Sequence, residues 1–61
     1  MPYVNIRVAG TLTREQKAGI AKGVTEVIAK EANKPPENVL VFIDEDNREN
    51  IAKGGVLLAD T

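Results

Sequence analysis

Val39-Leu40-Val41-Phe42-Ile43 is apolar at every position. A strand with one face in water alternates apolar and polar residues, so an unbroken run rich in β-branched side chains describes a strand covered on both faces. Pro35-Pro36 stands just upstream, where proline bars a helix from running into it. Residues 3–8 form a strand of the other kind, with Val4, Ile6 and Val8 on one face and Tyr3, Asn5 and Arg7 on the other. A helix lies between them. Thr13-Arg14-Glu15-Gln16 fits a capping box, and Asn33 is a left-handed stop, so the helix runs from about residue 14 to residue 32 or 33. Ile20, Val24, Val27, Ile28 and Ala32, with Ala21 beside them, make its apolar stripe; Lys17, Lys22, Glu26 and Lys30 take the solvated side. Two strands joined by such a crossover make a right-handed β-α-β unit with parallel strands. Beyond Ile43, residues 44–50 read as a charged connection, Gly54-Gly55 as a turn, and Val56-Leu57-Leu58-Ala59 as a short strand or hairpin arm. The expected fold is α+β: a single small β-α-β domain over residues 1–61 with a short C-terminal hairpin. One helix covers only one face of a two-stranded sheet, yet residues 39–43 are apolar on both. The uncovered face must meet another chain.

Length makes the same demand. A chain of 61 residues buries only about 60% of the surface its unfolded form exposes. With Cys 0 and His 0, disulfides, thiol nucleophiles, Cys/His metal sites, haem ligation through either residue and imidazole-based triads are all excluded, which leaves self-association as the staple. A net charge of −1, 3% aromatic residues and no Trp argue against a nucleic-acid surface. No apolar run approaches the roughly 18 residues of a membrane span, and the amino end has no cationic region followed by an apolar one. A cytoplasmic chain with neither nucleic-acid nor membrane partners is expected. Asp44-Glu45-Asp46 lacks the spacing of a calcium loop and reads as an acidic turn, so no metal is expected. Gly54-Gly55 has neither the lysine nor the following helix of a phosphate loop.

Without His or Cys, proton transfer falls to carboxylates, lysines, hydroxyls, Tyr3 and the chain terminus. Methionine followed by proline is commonly trimmed, which would leave Pro2 as a secondary amine. A terminal amine titrates near about 7.7–8.0, and apolar burial or nearby cations lower it further. An amine neutral at pH 7 is a general base.

Met1-Pro2-Tyr3-Val4-Asn5-Ile6, Thr13-x-Glu15-Gln16-Lys17, Val41-Phe42-Ile43-Asp44-Glu45 and Glu49-Asn50-Ile51-Ala52-Lys53-Gly54-Gly55 follow one another in a chain of this length. In order and spacing they resemble the 4-oxalocrotonate tautomerase family across essentially the whole chain. The resemblance implies a β-α-β subunit that pairs into dimers and assembles as a homo-oligomer, a hexamer built as a trimer of dimers. It also implies an isomerase without cofactor or metal, in which Pro2 acts as general base and then general acid on a small enol or α-keto acid. The chain departs from the family pattern at three positions. Leu12 stands where the best-studied members carry an arginine that holds a substrate carboxylate, Leu40 where they carry one that polarises the carbonyl oxygen, and Ile51 where they place an aromatic wall. A desolvated carboxylate or enolate needs a cationic or strongly polar partner, so the family's dicarboxylate substrate does not carry over unchanged.

Substrate-side positions are therefore Leu40 and Ile51, with Arg14 and Arg48 as candidate replacement cations. Arg14 opens the helix, where it either reaches the pocket or is simply solvated. Arg48 lies in the acidic loop, where it either approaches a neighbouring subunit's Pro2 or pairs locally with Asp44, Asp46 or Glu49. Arg7 reads as an interface or surface residue and Lys53 as an exposed one. The alternative to an isomerase is a non-catalytic scaffold, or one subunit of a hetero-oligomer whose partner supplies the arginines.

Overall fold

Strand β1 (Tyr3–Ala9), helix α1 (Arg14–Ala32) and strand β2 (Leu40–Asp46) follow in order in a computed structural model describing residues 1–61. The strands pair in parallel, from Tyr3 opposite Leu40 to Ala9 opposite Asp46. The capping box forms as read: Thr13 Oγ1 accepts from the Gln16 amide at 3.1 Å, and Gln16 Oε1 accepts from the Thr13 amide at 2.9 Å. At the other end Asn33 takes φ 55° and ψ 51°. Asn tolerates that left-handed conformation better than most residues, and proline two positions on prevents the helix from resuming.

Three expectations need correction. The apolar run predicts a strand ending at Ile43, with Asp44-Glu45-Asp46 in a loop; instead those acids are the last three residues of β2, opposite Arg7, Val8 and Ala9. Their partners explain it. Arg7 Nε lies 3.1 Å from Asp46 Oδ2, the Leu12 amide donates to Glu45 Oε2 at 3.2 Å, and Lys17 Nζ pairs with Glu45. Cross-strand pairing and ladder bonds thus override the low strand preference of acids. Lys17 is accordingly half-buried rather than solvated. In the helix, Ile20, Ala21, Val24 and Ile28 meet the sheet, but Val27 is 59% exposed and Ala32 is also exposed. Val27 lies about 100° round the helix from Ile28, on the flank of the stripe. Ala32 is the last helical residue, beside the exposed connection over residues 33–38.

The C-terminal hairpin is present and shorter than its apolar run. Strands β3 (Ala52–Lys53) and β4 (Val56–Leu57) pair antiparallel around Gly54 and Gly55, at φ 60° and 84°. A two-residue hairpin loop with both residues at positive φ suits glycine. Leu58–Asp60 is a single 3-10 turn rather than strand, and the Leu58 amide ties it back to the Ile51 carbonyl at 2.8 Å.

No side chain of this chain is fully enclosed. The helix-side residues Val4, Ile6, Val8, Val41 and Ile43 are half-buried, while the opposite sheet face leaves Tyr3 67%, Leu40 42% and Phe42 48% exposed. The rings of Tyr3 and Phe42 meet edge-on at 6.2 Å between centroids. The surface totals 4821 Å², against about 3,900 Å² for a compact monomer of this mass. The radius of gyration is 14.5 Å, against about 10.5 Å. The chain is a slab of 42 × 24 × 13 Å, one helix on one sheet. No helix is long and apolar enough to cross a membrane.

Candidate active site

Pro2 is half-buried immediately before β1, and its carbonyl accepts from the Leu40 amide at 2.9 Å. That bond extends the parallel ladder by one residue and fixes the pyrrolidine at the edge of the sheet's first rung. Met1 ahead of it is 70% exposed. Of the other site positions read from sequence, only Leu40 is brought beside Pro2.

The remaining candidates gather at the opposite end. β1 is seven residues long, a rise of about 20 Å, and Arg14 follows its far end as Arg48 follows that of β2. Arg48 lies over the exit from β1: its Nε is 4.0 Å from where a Cβ on Gly10 would stand, and Gly10 has φ 99°. Together with Thr11, Glu45 and Asn47 these residues line an open hollow of about 390 Å³. Asn47 shapes its rim by accepting from the Glu49 amide at 2.9 Å and starting the turn Arg48–Asn50. Ile51 lies in an adjoining hollow with Val8, Asp46 and Leu58.

Charge pairing sorts the arginines. Both ion pairs of the chain lie elsewhere, Arg7 with Asp46 and Lys17 with Glu45, so neither Arg14 nor Arg48 has a carboxylate within 4.0 Å. The local pairing open to Arg48 does not form, because Asp46 turns to Arg7 across the ladder. Lys53 is exposed in the hairpin.

Glu45 was not among the site residues read from sequence. Its carboxyl is held below the ordinary 4.5, first by the Lys17 hydrogen bond and then by the Leu12 amide, against a smaller desolvation effect. Its position two and four residues after Ile43 and Val41 was the available signal, since that parity turns it to the helix side. Glu45 clasps the start of α1 and the approach to it onto β2, which sets the position of Leu12 and of the hollow under Arg48.

One chain therefore holds Pro2 at one end of its sheet and unpaired guanidiniums at the other. The family model for tautomerase enzymes matches residues 2–61. A probable tautomerase of Bacillus cereus is 38% identical over 60 residues, covering 98% of each chain. The 2-hydroxymuconate tautomerase of Bacillus subtilis is 33% identical over 60 residues, covering 98% of this chain and 97% of its own. Among solved structures, YwhB, a homologue of 4-oxalocrotonate tautomerase, superposes with a TM-score of 0.92 at 32% identity, covering 98% of both chains. A heterohexameric 4-oxalocrotonate tautomerase from Chloroflexus aurantiacus superposes with a TM-score of 0.90 at 25% identity, covering 98% of this chain and 97% of that one. With Pro2 opening the matched span and the β-α-β frame and terminal hairpin shared throughout, this chain belongs to the 4-oxalocrotonate tautomerase family.

Proposed function

We propose that the protein is a cofactor-independent tautomerase of the cytoplasm in which Pro2, freed of Met1, moves a proton on a small enol or α-keto acid. The neutral secondary amine takes the enol O–H proton, the electron pair forms the C=O bond, and the resulting ammonium returns the proton to carbon. The net change is enol to ketone, with the base regenerated. The observation that carries this reading is the seat of Pro2: half-buried immediately before β1 and tied by its carbonyl to the Leu40 amide. Partial burial disfavours the charged form of an amine, and a neutral amine serves as a general base. An enolate developing there needs a cation. The unpaired Arg14 and Arg48 serve from neighbouring subunits, within a homo-oligomer of the trimer-of-dimers kind, and Ile51 adds an apolar wall. Tautomerase-named relatives support an isomerase-type activity.

The test is ketonisation of phenylenolpyruvate or 2-hydroxymuconate by protein whose intact mass shows Met1 removed, beside Pro2→Ala. Loss of a positioned base lowers turnover by about 10²–10⁴-fold, with assembly unchanged by sedimentation. Equal rates in the two proteins would refute the assignment.

A second reading has its own observation. Leu12 and Leu40 are both apolar and no guanidinium of the chain stands at its Pro2 end, as in a subunit that relies on a different partner chain. The Chloroflexus relative is a heterohexamer. Activity that appears only after co-purification with a second chain would select this reading, and an inactive homo-oligomer would select a scaffold.

A further inference from the structure

Arg48 keeps an unpaired guanidinium in the most acidic part of the chain. Asp44, Glu45, Asp46 and Glu49 all lie within four residues of it in sequence, yet no carboxylate comes within 4.0 Å. Both ion pairs of the chain draw acids out of this group: Arg7 Nε meets Asp46 Oδ2 at 3.1 Å, and Lys17 Nζ meets Glu45 Oε1. The two pairs are not equivalent. The Arg7 side chain is 75% exposed, where water screens its charge, and Asp46 does not line the hollow under Arg48. Glu45 is the one acid that does line it, beside Gly10, Thr11, Asn47 and Arg48, and its side chain is only 23% exposed. Its second oxygen, Oε2, accepts from the Leu12 amide at 3.2 Å. Both oxygens are therefore taken from the helix side, and neither is left for Arg48. None of Tyr3, Leu40 and Phe42 lines this hollow, which stands apart from their bare sheet face.

We propose that Lys17 is a positioning residue for substrate binding: by holding and neutralising Glu45 it leaves Arg48 as the free charge of the hollow, ready for an anion. The proposal rests on the reading above, in which Arg48 serves a neighbouring subunit's Pro2. Without Lys17, the Glu45 carboxylate either turns to Arg48 or stays in the hollow as a bare charge that repels the anion. Both weaken binding and leave proton transfer at Pro2 alone, so the loss falls on KM rather than kcat. Without the Glu45 charge, by contrast, Lys17 adds a second cation beside Arg48 and binding tightens. The two partners of one ion pair thus have opposite effects, which the loss of a purely structural contact does not produce.

The experiment measures KM and kcat for phenylenolpyruvate in wild type, Lys17→Gln, Glu45→Gln, Arg48→Ala and Pro2→Ala, with assembly checked by sedimentation. Lys17→Gln is expected to raise KM about fivefold and Glu45→Gln to lower it about twofold, the scale of one uncompensated charge near a surface anion, with kcat little changed in either. The Glu45→Gln value decides the matter even if Lys17→Gln does not assemble. KM raised in both variants means that the pair is only a clasp. That result, or KM unmoved by Lys17→Gln but raised by Arg48→Ala, overturns the role of Lys17; activity lost in Pro2→Ala then leaves the proline chemistry standing. KM unmoved by Arg48→Ala overturns the proposal together with the part given to Arg48. Wild-type turnover no faster than buffer overturns the proline chemistry as well.

Discussion

Glu45 joins three parts of the chain through one carboxylate: it sits in β2, pairs with Lys17 of α1, and accepts from the Leu12 amide before the helix. Its folded pKa is depressed, so its contribution to stability is fully present above the ordinary 4.5 and is lost as pH falls through the lower folded value. Glu45→Gln removes the charge at every pH. The melting temperature of the variant is therefore expected to lie below wild type at neutral pH and to converge with it as the solution is acidified below about pH 4. Melting curves at a series of pH values and fixed protein concentration check this, and a gap that stays constant into acid would show that Glu45 acts by shape alone. The residue was hard to read in sequence for a physical reason: its amide partner is 33 residues away, and neighbouring acids suggest a solvated turn. Pro2 was singled out by its place after Met1 together with the family resemblance, and the structure adds its half-buried seat before β1. Arg48 was half legible. Its loop could be assigned, but that Asp46 prefers Arg7 depends on the strand register.

At the scale of elements, what was legible tracks the range of the interaction. The start of α1 is fixed by bonds between residues three apart, and its end by Asn33 with the prolines behind it, so both appear in sequence at the right places. The last turn of β2 is fixed by tertiary partners and does not. Thr13→Ala removes one half of the capping box and leaves the Gln16 amide without its side-chain acceptor. A loss of about 1 kcal/mol is expected, within the usual 0.5–2 for such caps. For a domain near this size that is a fall of roughly 4–8 °C in melting temperature. Thr13→Ser keeps the acceptor and is expected to retain most of the stability. Thermal melts of both variants at one concentration check the pair. Similar losses in Ser and Ala would mean that the methyl group, rather than the hydroxyl, holds the helix start.

The whole molecule exposes more surface than a free-standing chain of its mass, and several large apolar side chains are among what it exposes. Besides Tyr3, Leu40 and Phe42 on the bare sheet face, Val27, Val56 and Leu57 are 59%, 48% and 40% exposed. The apolar run at residues 39–43 foretold the bare face because one helix cannot cover two sides of a sheet. How copies meet across it is a relation between chains and is not written in the pattern of one. A slab without a single enclosed side chain gains too little from its own contacts to offset the entropy of ordering the chain, so folding and association should be one process. Sedimentation is expected to give a multiple of 6.6 kDa, with a melting temperature that rises with protein concentration. Phe42→Asp places a charge on the bare face and forfeits about 1–2 kcal/mol of apolar burial per subunit, with the desolvation of the carboxylate in addition. The variant is expected to sediment at lower mass and to lose helical circular dichroism on dilution at concentrations where wild type keeps it. A folded 6.6 kDa monomer, with a melting temperature independent of concentration in both proteins, would mean that the slab is stable alone. Arg14 and Arg48 would then stay at the far end of the sheet, and Pro2 would have to work without them.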